Sequence, residues 1–280
     1  MAKFQFGTVG SPISTPKKPG GSIGAIQQIS ALELNAFELA WVQSVRVSEE
    51  TCQAIQNAGI EYQVALSIHA PYFINLNADE VEWPKSRKRL MDAAYYGNLA
   101  GATDIIFHPG SYFGKPSVEV LKVALPRLNE CIRELRSMEN LVVLRPETMG
   151  KAAMLGSLED TLIMSAEIPG IEPCLDFAHL HARQGDGSMN SREEWLMVLD
   201  KYSTALGVDS LKRLHIHLSG IQYGPKGEKN HLPISASDFN LRDLFLALQE
   251  TGSQGRILCE SPVLEEDALL MKQLWSDLMI

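Results

Sequence analysis

Hydrophobic positions form short, nearly continuous runs that alternate with longer amphipathic segments. The short runs are typical of strands buried on both faces, and the longer segments repeat apolar residues at helical spacing. The predicted strands are Phe4–Val9, Ala36–Trp41, Tyr62–Ile68, Asp104–Phe107, Leu141–Leu144, Glu172–Leu175, Arg213–His217 and Arg256–Cys259. The predicted helices are Gly24–Ser30, Ser48–Ala58, Pro84–Ala100, Ser117–Met138, Ser157–Ser165, Ser191–Ala205, Asp238–Gln249 and Leu264–Met279.

The strict alternation of eight strands with eight helices predicts an α/β fold with a parallel sheet. An open doubly wound sheet would normally have a glycine-rich phosphate-binding turn after its first strand. The corresponding segment here, GTVGS from Gly7, lacks that pattern. We therefore expect one closed (β/α)8 TIM barrel, a single domain that spans residues 1–280.

Six successive predicted strands carry or precede a side chain that can bind a metal. These side chains are His69, His108, Glu147, Asp176, His217 and Glu260. In an α/β barrel the carboxyl ends of the strands hold the active site. Clustered buried carboxylates repel each other unless cations neutralise them, and imidazole with carboxylate suits zinc, iron or manganese. Glu147 lies midway round this rim and is the candidate bridge, whereas His215 is expected deeper in the barrel as a support for His217.

Composition and charge restrict the partners of the chain. Its 280 residues are 45% hydrophobic and carry a formal net charge of −9, which argues against nucleic acid unless bound cations reverse the local sign. Four scattered cysteines without a CxxC pair predict buried free thiols. Short apolar runs and the MAKFQFGTVG start predict neither a membrane span nor a signal peptide. We therefore expect a cytoplasmic protein, or a nucleoid-associated one in a prokaryote.

A series of motifs resembles the endonuclease IV family, the metal-dependent apurinic/apyrimidinic endonucleases among the xylose-isomerase-like barrels. The motifs are HAPYFINL from His69, HPG from His108, ETMG from Glu147, LDFAH ending at His179, HLSG from His217 and ESP from Glu260. They occur in order, and the resemblance runs from about residue 4 to residue 275. It implies that a monomer cleaves double-stranded DNA 5′ to abasic sites through metal-activated water, with Glu147 and Glu260 as catalytic residues.

The resemblance also implies two or three Zn²⁺ ions, with Mn²⁺ or Fe²⁺ as an alternative in one site. His69, His108 and Glu147 would hold the first metal, and Glu147, Asp176, His217 and Glu260 the second. His179 and His231 would hold the third. Where the family has a ligand Asp two residues before His231, this chain has Lys229. Either Glu228 or His181 completes the third site, or the site is weak or absent, with the Lys229 cation supplying part of its charge.

Several residues are candidates for DNA contacts. Tyr72 and Phe73 fall where the family inserts side chains at the lesion, and Arg46 is a rough match for its penetrating arginine. Arg87 and Lys88 lie in the first turn of a helix, where cations oppose the helix dipole. We therefore expect them on a basic rim around the metals, together with Lys115, Lys151, Lys226 and Lys229.

Two other functions compete with the nuclease. Glu147, Asp176, His217 and Glu260 alone match the one-metal quartet of sugar isomerases and epimerases in the related barrels. A non-catalytic DNA-binding barrel is the third alternative. The further histidines favour the nuclease, because a one-metal epimerase does not need them. They are His69, His108, His179 and His231.

Overall fold

The computed structural model describes residues 4–278, in which eight parallel strands form one sheet. The barrel strands are β1 (Phe4–Val9), β2 (Ala36–Ala40), β3 (Ala65–His69), β4 (Asp104–Phe107), β5 (Val143–Pro146), β6 (Cys174–Asp176), β7 (Leu214–Leu218) and β10 (Gly255–Cys259), with the hairpin strands β8 (Gly220–Gly224) and β9 (Gly227–Leu232) between the last two. The helices are α1 (Gly21–Ala31), α2 (Glu49–Glu61), α3 (Trp83–Leu99), α4 (Ser117–Ser137), α5 (Leu158–Glu167), α6 (Phe177–Arg183), α7 (Arg192–Leu206), α8 (Leu241–Glu250) and α9 (Glu265–Asp277). Short 3-10 turns cover Val208–Lys212 and Ile234–Ala236.

The strand order closes the sheet into a barrel. Neighbours run β5-β4-β3-β2-β1-β10-β7-β6, and every pair is parallel. Parallel bridges Leu144–Ile171 and Glu147–Cys174 join the two ends of that order. The predicted (β/α)8 barrel is confirmed, and the carboxyl ends of its strands meet at one mouth.

Local sequence signals explain several helix starts. The Ser48 side chain accepts a hydrogen bond from the Thr51 amide at the start of α2. Ser191 and Glu194 form the predicted capping box of α7, in which each side chain accepts from the other residue's amide. These caps satisfy amides that have no partner within the helix, so the loops that lead into α2 and α7 have defined ends.

Two elements at the mouth were not predicted. The segment after β7 forms the antiparallel hairpin of β8 and β9, and α6 follows β6 without a loop. Strand three begins at Ala65 rather than Tyr62, because Tyr62 caps the C-terminus of α2. The predicted last helix included Met279, which lies outside the described residues. All four cysteines are buried and free, as predicted. Within residues 4–278 no helix has the length and apolar character of a membrane span.

Candidate metal centre

Glu147 is the centre of a buried cluster at the barrel mouth. Its side chain is fully buried directly after β5, and neither carboxylate oxygen has a hydrogen-bond partner among the described residues. Oε2 lies 3.4 Å from His69 Nε2 and 3.2 Å from His108 Nε2. Oε1 lies 3.2 Å from His179 Nδ1 and 3.6 Å from His217 Nδ1. The carboxylate therefore faces ligand atoms on both sides, as a bridging ligand would.

The first group of donors is His69, His108 and Glu147. His69 Nδ1 lies 2.9 Å from the carbonyl of Ala70, a distance at which it donates to that oxygen. With Nδ1 protonated, Nε2 offers its lone pair toward Glu147. Tyr72 stacks on the His108 ring at 5.0 Å between centroids and covers this side of the cluster.

The second group is Glu147, Asp176, His217 and Glu260. Asp176 caps α6, because its Oδ1 accepts from the His179 amide at 2.7 Å. Its Oδ2 is buried without a hydrogen-bond partner in the described chain. His217 Nδ1 lies 3.4 Å from Glu260 Oε1. The short helix α6 thus fixes Asp176 and His179 together.

The third group is Asp176, His179 and His231, in which two histidine nitrogens are directed at each other. His179 Nδ1 lies 2.9 Å from the Thr148 carbonyl, and His231 Nδ1 lies 3.1 Å from the Glu260 carbonyl. If both Nδ1 atoms donate to those oxygens, both Nε2 atoms carry lone pairs, yet they lie 3.2 Å apart. Two lone pairs at this distance need a proton or a cation between them.

Donor spacing throughout the cluster fits metal ions. Zinc–ligand distances near 2.0–2.1 Å place neighbouring donors of a tetrahedral set roughly 3.3 Å apart. The contacts of Glu147 with the nitrogens of His69, His108 and His217, and the contact of His217 with Glu260, lie between 3.2 and 3.6 Å. Most of the buried oxygens have no other partner among the described residues. Nitrogen and carboxylate oxygen are donors that zinc, manganese and iron accept. The residues present therefore fit bound transition-metal ions.

Without cations, the buried carboxylates of the cluster repel one another and are compensated by protonated histidines. Burial, together with the charges of Glu147 and Glu260, raises the pKa of Asp176 to about 6 against the attraction of His179. Burial opposes the charged form of His179, but Asp176 and Glu147 hold its pKa well above the usual range. Protons on histidines thus compensate carboxylates here, a role that metal ions take over while releasing those protons.

Of the two candidates to complete the third group, only Glu228 lies near it. Glu228 Oε2 is 3.6 Å from His179 Nε2. A Cβ on Gly150 would lie 2.7 Å from Glu228 Cβ and 3.0 Å from His179 Cδ2, so this glycine makes room for both side chains. His181 points elsewhere, with Nδ1 3.1 Å from the Ser188 carbonyl and Nε2 3.2 Å from Asp238. His181 is therefore a support between α6 and the segment before α8.

The aromatic candidates lie at the mouth, as the sequence predicted. Tyr72 and Phe73 are 46% and 60% exposed, and burial together with Glu260 and Glu147 raises the Tyr72 pKa to about 12. Arg89, a member of the basic run after Pro84, donates to the Phe73 carbonyl and lies 5.9 Å from its ring. This contact ties the aromatic loop to α3.

The basic candidates divide into two groups. Arg87 lies between α3 and α4, where it pairs with Glu130 and Glu134, so the expectation that it belongs to a free basic rim is corrected. Lys88 pairs with Asp92 but is exposed and lines a groove with the Gln43–Val45 segment and Pro71. The other candidates are also exposed: Arg46, Lys115, Lys151, Lys226 and Lys229. Lys229 extends along Gly224 of the hairpin.

Glu38 is the buried polar residue that sequence reasoning missed. It lies in the middle of β2, fully buried, with His215 and His217 as neighbours. The signal was present, because a charged residue in a strand buried on both faces must have a partner. His215 lies deeper in the barrel than His217, as expected, whereas its contact with Glu38 was not predicted. Burial lowers the pKa of His215 to about 4, so the ring is neutral at physiological pH.

Sequence relatives include both an uncharacterized protein and a nuclease. An uncharacterized protein of Methanocaldococcus jannaschii is 36% identical over 274 residues, which cover 98% of this chain and 97% of that protein. Endonuclease 4 of Thermus thermophilus is 30% identical over 207 residues, which cover 70% of this chain and 71% of that protein.

Solved structures share the fold but differ in the function that their names state. A D-tagatose 3-epimerase-like protein matches with a TM-score of 0.74 at 17% identity, covering 99% of this chain and 97% of that one. Endonuclease IV from Thermus thermophilus matches with a TM-score of 0.72 at 22% identity, covering 98% of both chains. At these identities the structural likeness shows the fold alone. The model of the xylose isomerase-like TIM barrel family matches residues 26–274, and the chain belongs to that family.

Proposed function

We propose that this protein is a metal-dependent apurinic/apyrimidinic endonuclease that hydrolyses the DNA phosphodiester 5′ to an abasic site. The observation that carries the proposal is the pair of donor groups added to the Glu147, Asp176, His217 and Glu260 quartet. One-metal sugar chemistry needs only that quartet. The first and third donor groups, which the quartet does not include, suit a phosphodiester, on which several cations can share the developing charge.

Residues of this chain divide the work of the reaction. Bound cations would lower the pKa of a water molecule and neutralise charge on the phosphoryl oxygens. Glu147 spans the first two donor groups and keeps them at a fixed separation. Glu260 faces His217 through Oε1 at 3.4 Å and His231 through Oε2 at 3.8 Å. It therefore lies between the second and third groups, where it can orient the attacking water and accept its proton.

The third donor group takes Glu228 in place of the aspartate that the family has at the position of Lys229. The 3.6 Å contact with His179 supports this exchange, since a carboxylate is restored one residue away. Three tightly bound equivalents of zinc are expected. Three equivalents would also contradict the hypothesis that Lys229 stands in for the third metal.

The exposed mouth supplies the contacts to DNA. Tyr72 and Phe73 project where an unpaired deoxyribose would approach the cluster, and aromatic side chains at such positions stack on bases or wedge between them. Exposed lysines around the mouth oppose the overall acidity of the chain locally. An abasic nucleotide enters more easily than an intact one, because no base pair has to be broken to expose its backbone.

The experiment is cleavage of a duplex that carries one tetrahydrofuran abasic analogue, beside an intact duplex. The analogue cannot undergo β-elimination, so a cut must be hydrolytic. Zinc- or manganese-loaded protein should cut on the 5′ side of the analogue and spare the intact strand. Glu260→Gln should slow the cut by roughly 10²–10⁴-fold, whereas the matched control His181→Gln should not. No cleavage by protein that demonstrably holds its metals contradicts the proposal.

A sugar epimerase is the second candidate, because the quartet is complete and an epimerase-like structure shares the fold. It predicts exchange of a substrate proton with solvent deuterium at a carbon beside a ketose carbonyl. Incubation of the metal-loaded protein with a panel of ketohexoses and ketopentoses in D₂O tests this directly. We expect no deuterium incorporation, and incorporation together with an uncut abasic duplex would favour the epimerase.

A further inference from the structure

The carboxylate of Glu38 lies under the metal centre and is not used in the proposed reaction. It comes from the middle of β2 and is fully buried. An ionised carboxylate at such a depth is costly unless neighbouring donors compensate it. Its partners therefore show what the side chain is there to hold.

One oxygen of Glu38 is fixed by side chains from two other strands of the barrel. Oε2 accepts a 2.7 Å hydrogen bond from the hydroxyl of Ser67, the residue paired with Glu38 on β3. The same oxygen lies 2.9 Å from His215 Nε2 on β7. These contacts set the orientation of the carboxylate independently of the metal centre.

The other oxygen faces the lower side of His217. Glu38 Oε1 lies 3.1 Å from His217 Nε2. The two atoms are close but not aligned as a hydrogen bond, and neither Glu38 Oε1 nor His217 Nε2 has another hydrogen-bond partner within residues 4–278. Both atoms are buried, so buried side chains must compensate them, and the Cys174 sulfur is a second neighbour of the His217 ring beside Glu38.

The upper side of the same ring belongs to the cluster. His217 Nδ1 lies 3.4 Å from Glu260 Oε1 and 3.6 Å from Glu147 Oε1. In a neutral imidazole one nitrogen carries the proton and the other the lone pair. A carboxylate below Nε2 selects the tautomer in which Nδ1 presents its lone pair to the cluster.

We propose that Glu38 is the positioning residue of the metal centre, holding the Nε2 proton of His217 so that Nδ1 binds the metal. This inference rests on the metal centre of the proposed function but not on the nuclease reaction. His215 and Ser67 act through Glu38: they touch its other oxygen and keep it from turning away from His217. The arrangement is a carboxylate–histidine–metal relay that begins on β2, which β1 and β10 separate from β7 in the barrel.

The first test needs no variant. In zinc-loaded protein with ¹⁵N-labelled histidine, the ¹⁵N shifts and couplings of the His217 ring are assigned by comparison with His217→Gln. We expect a protonated Nε2 and a zinc-bound Nδ1. Zinc on Nε2, or an Nε2 without a proton, overturns the inference.

The second test is zinc affinity, measured by competition with a chromophoric chelator. Glu38→Gln keeps the shape of the side chain but has only one acceptor oxygen, which cannot serve Ser67, His215 and His217 together. Loss of such a partner typically lowers metal affinity by about 10–100-fold. In the zinc-loaded variant the ¹⁵N resonance of His217 Nε2 should also shift, because its acceptor is lost, and a purely structural role would not cause this. Unchanged affinity together with an unchanged Nε2 resonance overturns the inference.

The matched control is Glu172→Gln, which changes a partly buried carboxylate bound to Arg145 and Arg213. It should lower thermal stability without changing zinc affinity, so a fall in affinity cannot be ascribed to loss of stability alone. Wild-type protein that binds no zinc overturns the metal centre and this inference together. Zinc affinity that falls in Glu38→Gln, in a protein that cuts no abasic duplex, supports the role of Glu38 and refutes the nuclease.

Discussion

Removal of the metals should lower the melting temperature of this protein by far more than removal of a loosely bound surface ion. Chelation leaves both oxygens of Glu147 and the Oδ2 of Asp176 buried without hydrogen-bond partners among the described residues. It also leaves the three carboxylates of the cluster to be compensated only by protons on histidines. The folded state loses this binding energy, whereas the unfolded chain loses almost none.

The magnitude follows from mass action and chain length. One zinc at about a thousand times its dissociation constant stabilises the folded state by about 4 kcal/mol, so three such ions contribute about 12 kcal/mol. A chain of 280 residues at ~2.1 cal/mol/K per residue has an unfolding entropy of about 0.6 kcal/mol/K. The expected fall in melting temperature is therefore about 20 °C.

The assay is differential scanning calorimetry of zinc-loaded and chelator-treated protein, with the metal counted by mass spectrometry before each scan. In Glu147→Gln most of the difference in melting temperature between zinc-loaded and chelator-treated protein should disappear, because the shared ligand of two donor groups is weakened. His181→Gln changes a buried histidine outside the cluster, and this variant should show the same difference as the wild type. Melting temperatures within about 2 °C of each other, with the metal demonstrably removed, would refute the reasoning.

Four further predictions test separate parts of the account. Gly150→Ala should displace Glu228 and His179 and lower the count of tightly bound zinc by one, and Glu228→Gln should do the same. Gly24→Ala, where a Cβ would make contacts of 3.5 Å or more, should retain the full count. Phe73→Ala should weaken binding to an abasic duplex roughly 5- to 150-fold, equivalent to about 1–3 kcal/mol of lost stacking, while the exposed Tyr95 changed to Ala leaves binding unchanged in fluorescence anisotropy. Lys88→Glu should reduce the slope of the logarithm of the DNA-binding constant against the logarithm of the salt concentration by about one unit. An unchanged slope would show that Lys88 does not contact DNA phosphates. Burial opposes the charge of Asp104, but Arg145 and Arg256 hold its pKa below the ordinary value of about 4. The ionised carboxylate therefore stabilises the folded state above pH ~4, and this contribution is lost as the pH falls further. In metal-free protein, Asp104→Asn should lower the free energy of unfolding by about 3–5 kcal/mol at neutral pH, and urea titrations should show a smaller loss below pH ~4.

The barrel was predictable because its signals are local and repeated. Each strand is a short apolar run and several helices begin at a capping residue, so errors at single boundaries do not change the topology. The predicted start of the third strand at Tyr62 is such a boundary error, because an aromatic residue before a strand can also end a helix.

The hairpin and α6 were missed for a different reason. The β8–β9 hairpin is short and half polar, with only the turn residues Pro225 and Gly227 to mark it. Helix α6 begins immediately after β6, and its cap, Asp176, was already interpreted as a ligand. One residue fills both roles, since its two carboxylate oxygens face different partners.

Side-chain partners across the barrel were the least predictable. Arg87 was placed on the basic rim by its position in a helix, but the glutamates that hold it come from α4, more than forty residues away. Glu38 and His215 are 177 residues apart in the chain and meet only because the barrel closes. Spacing along one chain does not encode such contacts.

In the proposed reaction a water molecule attacks a DNA phosphate at this metal centre. Single-turnover cleavage of the tetrahydrofuran duplex in H₂¹⁸O, followed by mass spectrometry of both fragments, traces the oxygen atom of that water. We expect a 3′-hydroxyl on the upstream fragment and one ¹⁸O atom in the 5′-phosphate of the downstream fragment. An intact strand, or a cut that leaves the phosphate on the upstream fragment, would contradict the proposed reaction.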